Sequence, residues 1–206
     1  MADLDLLQIG LSLAVLLGSL TVHEAAHAWA ADQLGDPTAR LLGRLTLNPV
    51  AHVDPIGTLL FPLLAAMTGL PLIGWARPVP VDGRNLRAPR RDFALVAAAG
   101  PASNLVMAVV GALWLQAAPE TMTGGPLGYA LLLVVLVNVL LAVFNMLPIP
   151  PLDGGNVLIG VLPPAAAHAV ERLRPYGIFV LYALMFSGVF RAIVGPVQER
   201  LLGWLL

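Results

Sequence analysis

The stretch "TVHEAAHAWAAD", residues 21–32, carries His23, Glu24 and His27 into the end of an otherwise apolar run. Residues four apart share a helix face. His23 and His27 can therefore hold one metal ion between them, with Glu24 beside it to polarise a bound water. Chance is a poor explanation. With four histidines among 206 residues, and as few glutamates, a random HExxH is expected on the order of 10⁻³ times. Burial weighs further against it, since an ionisable group in mid-membrane costs about 2.5–3.5 kcal/mol even on lenient scales.

A catalytic zinc needs a third protein ligand and an open position for water. Ala30 and Gln33 stand where the metzincin extension HExxHxxGxxH needs glycine and histidine, and the next glutamate, Glu120, falls on a loop expected on the outer side. The aspartates and His52 remain. Among them Asp153, in "FNMLPIPPLDGG" (144–155), stands out because it closes a later apolar run at the depth of the histidines. Pro148, Pro150 and Pro151 forbid a regular helix there. Non-helical backbone at membrane depth survives only against protein or a water-filled cavity. An ordinary Asp-Gly turn is the competing reading of Asp153.

These residues need elements to hold them, and composition says which kind. The chain is 58% hydrophobic and only 11% charged, with a mean hydropathy of +0.84. A soluble domain carries roughly 25% charge, so this is an integral membrane protein. Its basic residues are all arginine, and a net charge of −1 gives no footprint for nucleic acid. With no cysteine, disulfides, thiolate ligands and a cysteine nucleophile are excluded together. The acidic start "MADLD" does not fit a secretory signal, so residues 5–32 are expected to be a retained helix. No internal repeat or appended domain is expected, and residues 1–206 read as a single membrane domain.

Apolar runs predict four spans, about 5–32, 93–118, 127–147 and 176–195, each near the roughly 20 residues a bilayer needs. Arg40 and Arg44 follow the first span, and Arg77, Arg84, Arg87, Arg90 and Arg91 precede the second. By the positive-inside rule both clusters are cytoplasmic. The run 56–75 between them must then return to its own side, as a re-entrant or surface-lying hairpin bent at Pro62, Gly69 and Pro71. The C-terminal "VQERLLGWLL" reads as an interfacial amphipathic helix. Two segments, 44–48 ("RLTLN") and 77–81, read as strands of a small membrane-associated β-sheet. Pro78 and Pro80 strip donors from one edge of the second. The expected fold class is thus an α-helical multi-pass membrane protein, with about four transmembrane helices, the hairpin and the sheet.

HExxH in a first core span, "GPASN" (100–104) opening the next and "NMLPIPPLDGG" (145–155) closing the third resemble the site-2 protease family of intramembrane zinc metalloproteases. The resemblance runs from about residue 8 to 160. "LNPVAHVDPIGTLLFP" and "GWARPVPVD" are similar to its compact bacterial and archaeal branch, without a PDZ or CBS domain. It implies one zinc ion per chain on His23, His27 and Asp153, with Glu24 as general base and acid. It also implies substrate-backbone contacts from Asn145 and Asn104, a transmembrane protein substrate cut within or beside its membrane segment, and a cell-membrane location with the site nearer the cytoplasmic side. His52 is a further candidate for lining the substrate path. Its oligomeric state is not legible.

Two other function classes compete. A pseudoprotease that merely binds membrane proteins would not need Glu24. A metal transporter would spread polar sites along a path, whereas these ligands converge.

Overall fold

The computed structural model describes residues 6–68, 76–119 and 123–206. Three of its helices are long and apolar enough to cross a membrane: α1 (Leu6–Gln33), α4 (Pro89–Ala117) and α5 (Pro126–Asn145). The short helices α2 (Thr38–Leu41) and α3 (Phe61–Thr68) lie between α1 and α4. Four more follow α5: α6 (Asp153–Val161), α7 (Pro164–Glu171), α8 (Gly177–Phe186) and α9 (Val189–Leu205).

Local chemistry sets the ends of the long helices. α1 stops where Gly35 takes φ +113, a conformation open to glycine and costly for other residues. Asp36 N–H then reaches back to the carbonyl of Ala31 at 2.9 Å, closing the last turn. α4 starts with Pro89 in its first turn, and the Asp92 carboxylate accepts from the Ala88 N–H at 2.7 Å. α5 also begins on a proline, Pro126. Pro-rich chain from 146 to 152 separates α5 from α6.

α4 is the central element and packs against α1, α5 and α6. Its inner face is built from small residues, including Ala97, Gly100, Ala108, Gly111 and Ala112. Small residues let backbones approach closely where lipid offers no hydrophobic drive for association. A Cβ on Gly111 would meet Val134 at 3.2 Å and Val135 at 3.3 Å. Outward-facing positions such as Val106, Leu113 and Trp114 are exposed, as a lipid-facing surface requires.

Three expectations need correction. The small β-sheet is absent: no strand occurs among the described residues, and 44–48 and 77–81 do not pair. Single contacts from loop backbone and from side chains take the places a ladder would fill. The Arg77 N–H donates to the His52 carbonyl at 2.8 Å, the Val79 N–H to Glu24 Oε2 at 2.8 Å, and the Arg77 carbonyl accepts from Arg44 Nη2 at 2.6 Å.

The fourth span is also not a single helix. The helical stretch Pro164–Phe186, which ends in α8, and α9 are bent by 79° at a break over Ser187 and Gly188, where Gly188 has φ +78. The "VQERLLGWLL" segment is the second half of α9. Its Leu201, Leu202 and Leu205 pack against the α4–α5 cluster of Ala108, Ala112, Val135 and Val139, and Gln116 Nε2 donates to the Leu205 carbonyl at 2.9 Å. "GPASN", finally, lies well inside α4, because the helix already begins at Pro89.

The described chain on either side of the run 56–75 meets at the Arg77–His52 hydrogen bond. Residues Pro55–Leu60 form a wide helical turn leading into α3, a run of roughly 20 Å at helical rise and too short for a bilayer of about 30 Å. The helix passes through Pro62; Gly69 and Pro71 lie outside the described residues.

Candidate metal centre

His23 and His27 project from the second half of α1, and Asp153 is the first residue of α6. His23 Nε2 and His27 Nε2 are 3.0 Å apart. Asp153 Oδ2 lies 3.1 Å from the first and 3.4 Å from the second, yet this buried oxygen takes part in no hydrogen bond. Three donor atoms thus form a nearly equilateral triangle. The edge of a tetrahedron with bonds of about 2.0–2.1 Å is about 3.3 Å, so the triangle fits three corners of a zinc site.

The outer partners of the two rings set where their Nδ1 hydrogens sit. His23 Nδ1 faces the amide oxygen of Asn104 at 2.6 Å, and His27 Nδ1 faces the Val96 carbonyl at 2.7 Å. Both partners only accept, so both Nδ1 atoms carry hydrogen, and in the neutral rings both Nε2 atoms present lone pairs. Two lone pairs and a carboxylate oxygen then converge with no donor among them. A cation satisfies all three. Such outer hydrogen bonds also fix the tautomer and ring orientation of metal-ligating histidines.

The backbone leaves room for this triangle. A Cβ on Gly100 would sit 2.6 Å from His23 Nε2 and closer still to His27 Nε2. On the other side, a Cβ on Gly154 would strike the Met146 carbonyl, and one on Gly155 the Pro150 backbone. The two glycines after Asp153 therefore let the 146–150 chain fold down on the start of α6 and set the carboxylate's position.

Glu24 is half-buried beside the histidines, with Oε2 on the Val79 N–H. The segment carrying Val79 runs along α1. Ala76 packs with Leu16 and Leu20, and the Asp82 N–H donates to Asp36 Oδ2 at 2.7 Å. Buried Arg44 clasps the segment through the Arg77 and Pro78 carbonyls. Burial and then the Arg77 charge lower the Arg44 pKa, while the Glu24 charge opposes them.

Asp36, below the end of α1, anchors the same segment. Burial alone would raise its pKa, but hydrogen bonds from Asn85, from the Thr38 hydroxyl and from the backbone N–H groups of Asp82 and Thr38 outweigh burial and hold it below the usual carboxylate range.

The other residues singled out by sequence fall elsewhere. Asn104 is fully buried, its oxygen on His23 and its nitrogen donating to Asn138 Oδ1 at 2.7 Å. His52 is buried and donates from Nε2 to the Thr46 carbonyl at 2.9 Å. Asn145 is half-buried at the end of α5, donating to the Leu141 carbonyl at 2.9 Å. Sequence reasoning missed Gly100, Ser19, Asn138 and Asp36. Polar Asn138 within the apolar run 127–147 was the available signal, since such residues in a span face protein.

Residues 117–188 match the protein family described as Peptidase family M50. The chain is 37% identical over 190 residues to "Putative zinc metalloprotease YwhC" of Bacillus subtilis (strain 168), covering 88% of this chain and 83% of that protein. It is 30% identical over 189 residues to "Putative zinc metalloprotease Rip2" of Mycolicibacterium smegmatis, covering 87% and 69%. No solved structure matches. Identity at this level, along most of both partners, makes the chain a member of peptidase family M50, the site-2 proteases.

Proposed function

We propose that this protein is a zinc-dependent endopeptidase that hydrolyses peptide bonds within or next to the transmembrane segments of other membrane proteins. The observation that carries this reading is the convergence of two imidazole lone pairs and the orphaned Asp153 oxygen, with Glu24 one residue from His23. His23, His27 and Asp153 would hold one zinc ion. Zinc in such a site lowers the pKa of a bound water to about 7 and polarises a carbonyl. Glu24 takes the proton of the attacking water on its carboxylate and returns it to the leaving amine. The Val79 N–H orients that carboxylate meanwhile.

Asn145, eight residues before Asp153, is proposed to hold the substrate backbone. The surrounding bilayer delivers a membrane-embedded substrate sideways. The site's place near the arginine-rich end of α1 and α4 supports a multi-pass protein of the cell membrane, cutting nearer the cytoplasmic face.

Glu24→Gln tests the assignment. It removes the proton acceptor and keeps the three ligands, so peptide-bond cleavage in reconstituted vesicles should fall by at least about 10³-fold, within reach of the loss of a general base and its charge. Zinc content by elemental analysis should stay near one per chain. Loss of zinc together with activity would make Glu24 structural.

A further inference from the structure

Three polar side chains with no solvent exposure, Ser19 on α1, Asn104 on α4 and Asn138 on α5, meet behind His23. Their hydrogen bonds can be resolved atom by atom, beginning at a group with no freedom. The Val134 carbonyl can only accept, so the Asn138 atom 2.8 Å from it is the amide nitrogen. That nitrogen also donates to Ser19 Oγ at 2.9 Å. The Asn138 oxygen is thereby turned toward Asn104 and requires a donor, which is Asn104 Nδ2 at 2.7 Å; the same nitrogen also reaches the Ser19 carbonyl, at a long 3.5 Å. The Asn104 oxygen is then left facing His23 Nδ1 at 2.6 Å and requires its hydrogen. His23 Nε2 must present its lone pair. Turning either amide over would put N–H against N–H or oxygen against oxygen at several points, in surroundings where each unmatched group is costly.

The two histidines differ in this respect. His27 Nδ1 meets the backbone carbonyl of Val96, which cannot turn over. His23 meets a side-chain amide, whose two ends differ only by which atom is nitrogen. Only one of the two rings therefore needs a relay to define its proton.

We propose that Asn138, supported by Ser19, is a positioning residue for the metal centre: acting through Asn104, it holds His23 in the tautomer whose Nε2 is free to bind the ion. The inference rests on the proposed zinc site. It separates from a plain packing role, because three buried polar groups serving only as glue between helices would not define a proton position 81 residues away in sequence from Asn104.

The test is read first without metal. Full-length protein labelled with ¹⁵N in histidine, stripped of metal and placed in lipid nanodiscs, should show a protonated Nδ1 and a bare Nε2 for His23, assigned by its loss in His23→Gln. Asn138→Asp, as the neutral acid that burial favours with its hydroxyl donating to the Val134 carbonyl, keeps an oxygen toward Asn104 and should keep that signature. Asn138→Leu, similar in size but apolar, should give a mixture of tautomers. Zinc affinity, measured by competition with a chelating dye, should fall roughly 10–100-fold in Asn138→Leu and stay within about threefold in Asn138→Asp. A folded wild-type protein with hydrogen on His23 Nε2 overturns the proposal without any variant. So does a folded Asn138→Leu protein with an unchanged ring spectrum and unchanged affinity. If zinc binds wild type and His23→Gln equally, the metal assignment fails instead, and the ring spectra still decide the relay.

Discussion

A single missing methyl group separates a metal site from a filled one. Gly100 faces both imidazoles so closely that a Cβ would overlap His27 Nε2. Gly100→Ala should therefore push the rings apart and abolish stoichiometric zinc binding, read by elemental analysis. Gly18→Ala, where nothing lies within 4 Å of the added carbon, should leave zinc unchanged and even favour the helix by up to about 1 kcal/mol. At this scale the sequence was most readable where residue type and period alone suffice. The i,i+4 histidines and the Asp-Gly-Gly after a proline run point to one centre. Gly100 was hidden because its role depends on which face of α4 meets α1, and no local pattern carries that. Asn104 was readable as important, but its partner was not. Only the crossing of α1, α4 and α5 places its oxygen on His23.

Between the long helices, the segment from Ala76 to Arg87 is the element that sequence reasoning understood least. Its alternate prolines do make an extended chain with few free donors, as a strand edge would. What went unseen is that the Val79 donor finds Glu24, because a carboxylate on α1 is nearer than any second strand. Val79→Pro would remove that N–H at a position already confined to extended backbone by Pro80. Cleavage by the folded variant should drop roughly 10–100-fold, as a charge-assisted hydrogen bond worth about 1.5–3 kcal/mol is lost, while zinc content holds. An unaltered rate would mean the contact does not orient the carboxylate.

The same segment should respond to acid through Asp36. Its folded pKa is lowered, so its stabilisation is present above the unfolded value of about 4 and is lost as pH falls through the folded value. Melting temperatures of wild type and Asp36→Asn should therefore differ most near neutrality and converge below about pH 4. A gap independent of pH would show that the carboxylate's charge does not matter.

Across the whole molecule, the division of labour is between a lipid-facing exterior and one polar end. Hydropathy makes the exterior plain, and arginine placement marks the polar end. The broken α8–α9 pair is different. Ser187-Gly188 in the run 176–195 is a turn signal, but neither the 79° bend there nor the packing of α9 along α4 and α5 is written in that run. That outcome depends on the α4–α5 groove having space for Leu201, Leu202 and Leu205, a property of the assembled fold.

Chain topology adds a consequence to the geometry of the triangle. His27 and Asp153 are separated by more than half of the chain, so an ion held by both works as a removable cross-link. Closing so long a loop takes conformational freedom mainly from the unfolded chain, and a ligand bound only by the native state adds stability by mass action. Chelation should therefore lower the melting temperature reversibly, with faster hydrogen exchange concentrated in residues 146–161 and little change in α5 above Asn138. Exchange that rises evenly over the molecule would mean that the ion does not fasten α6 to α1. On this view the ligands tie the first helix of the fold to one that lies beyond all three long helices.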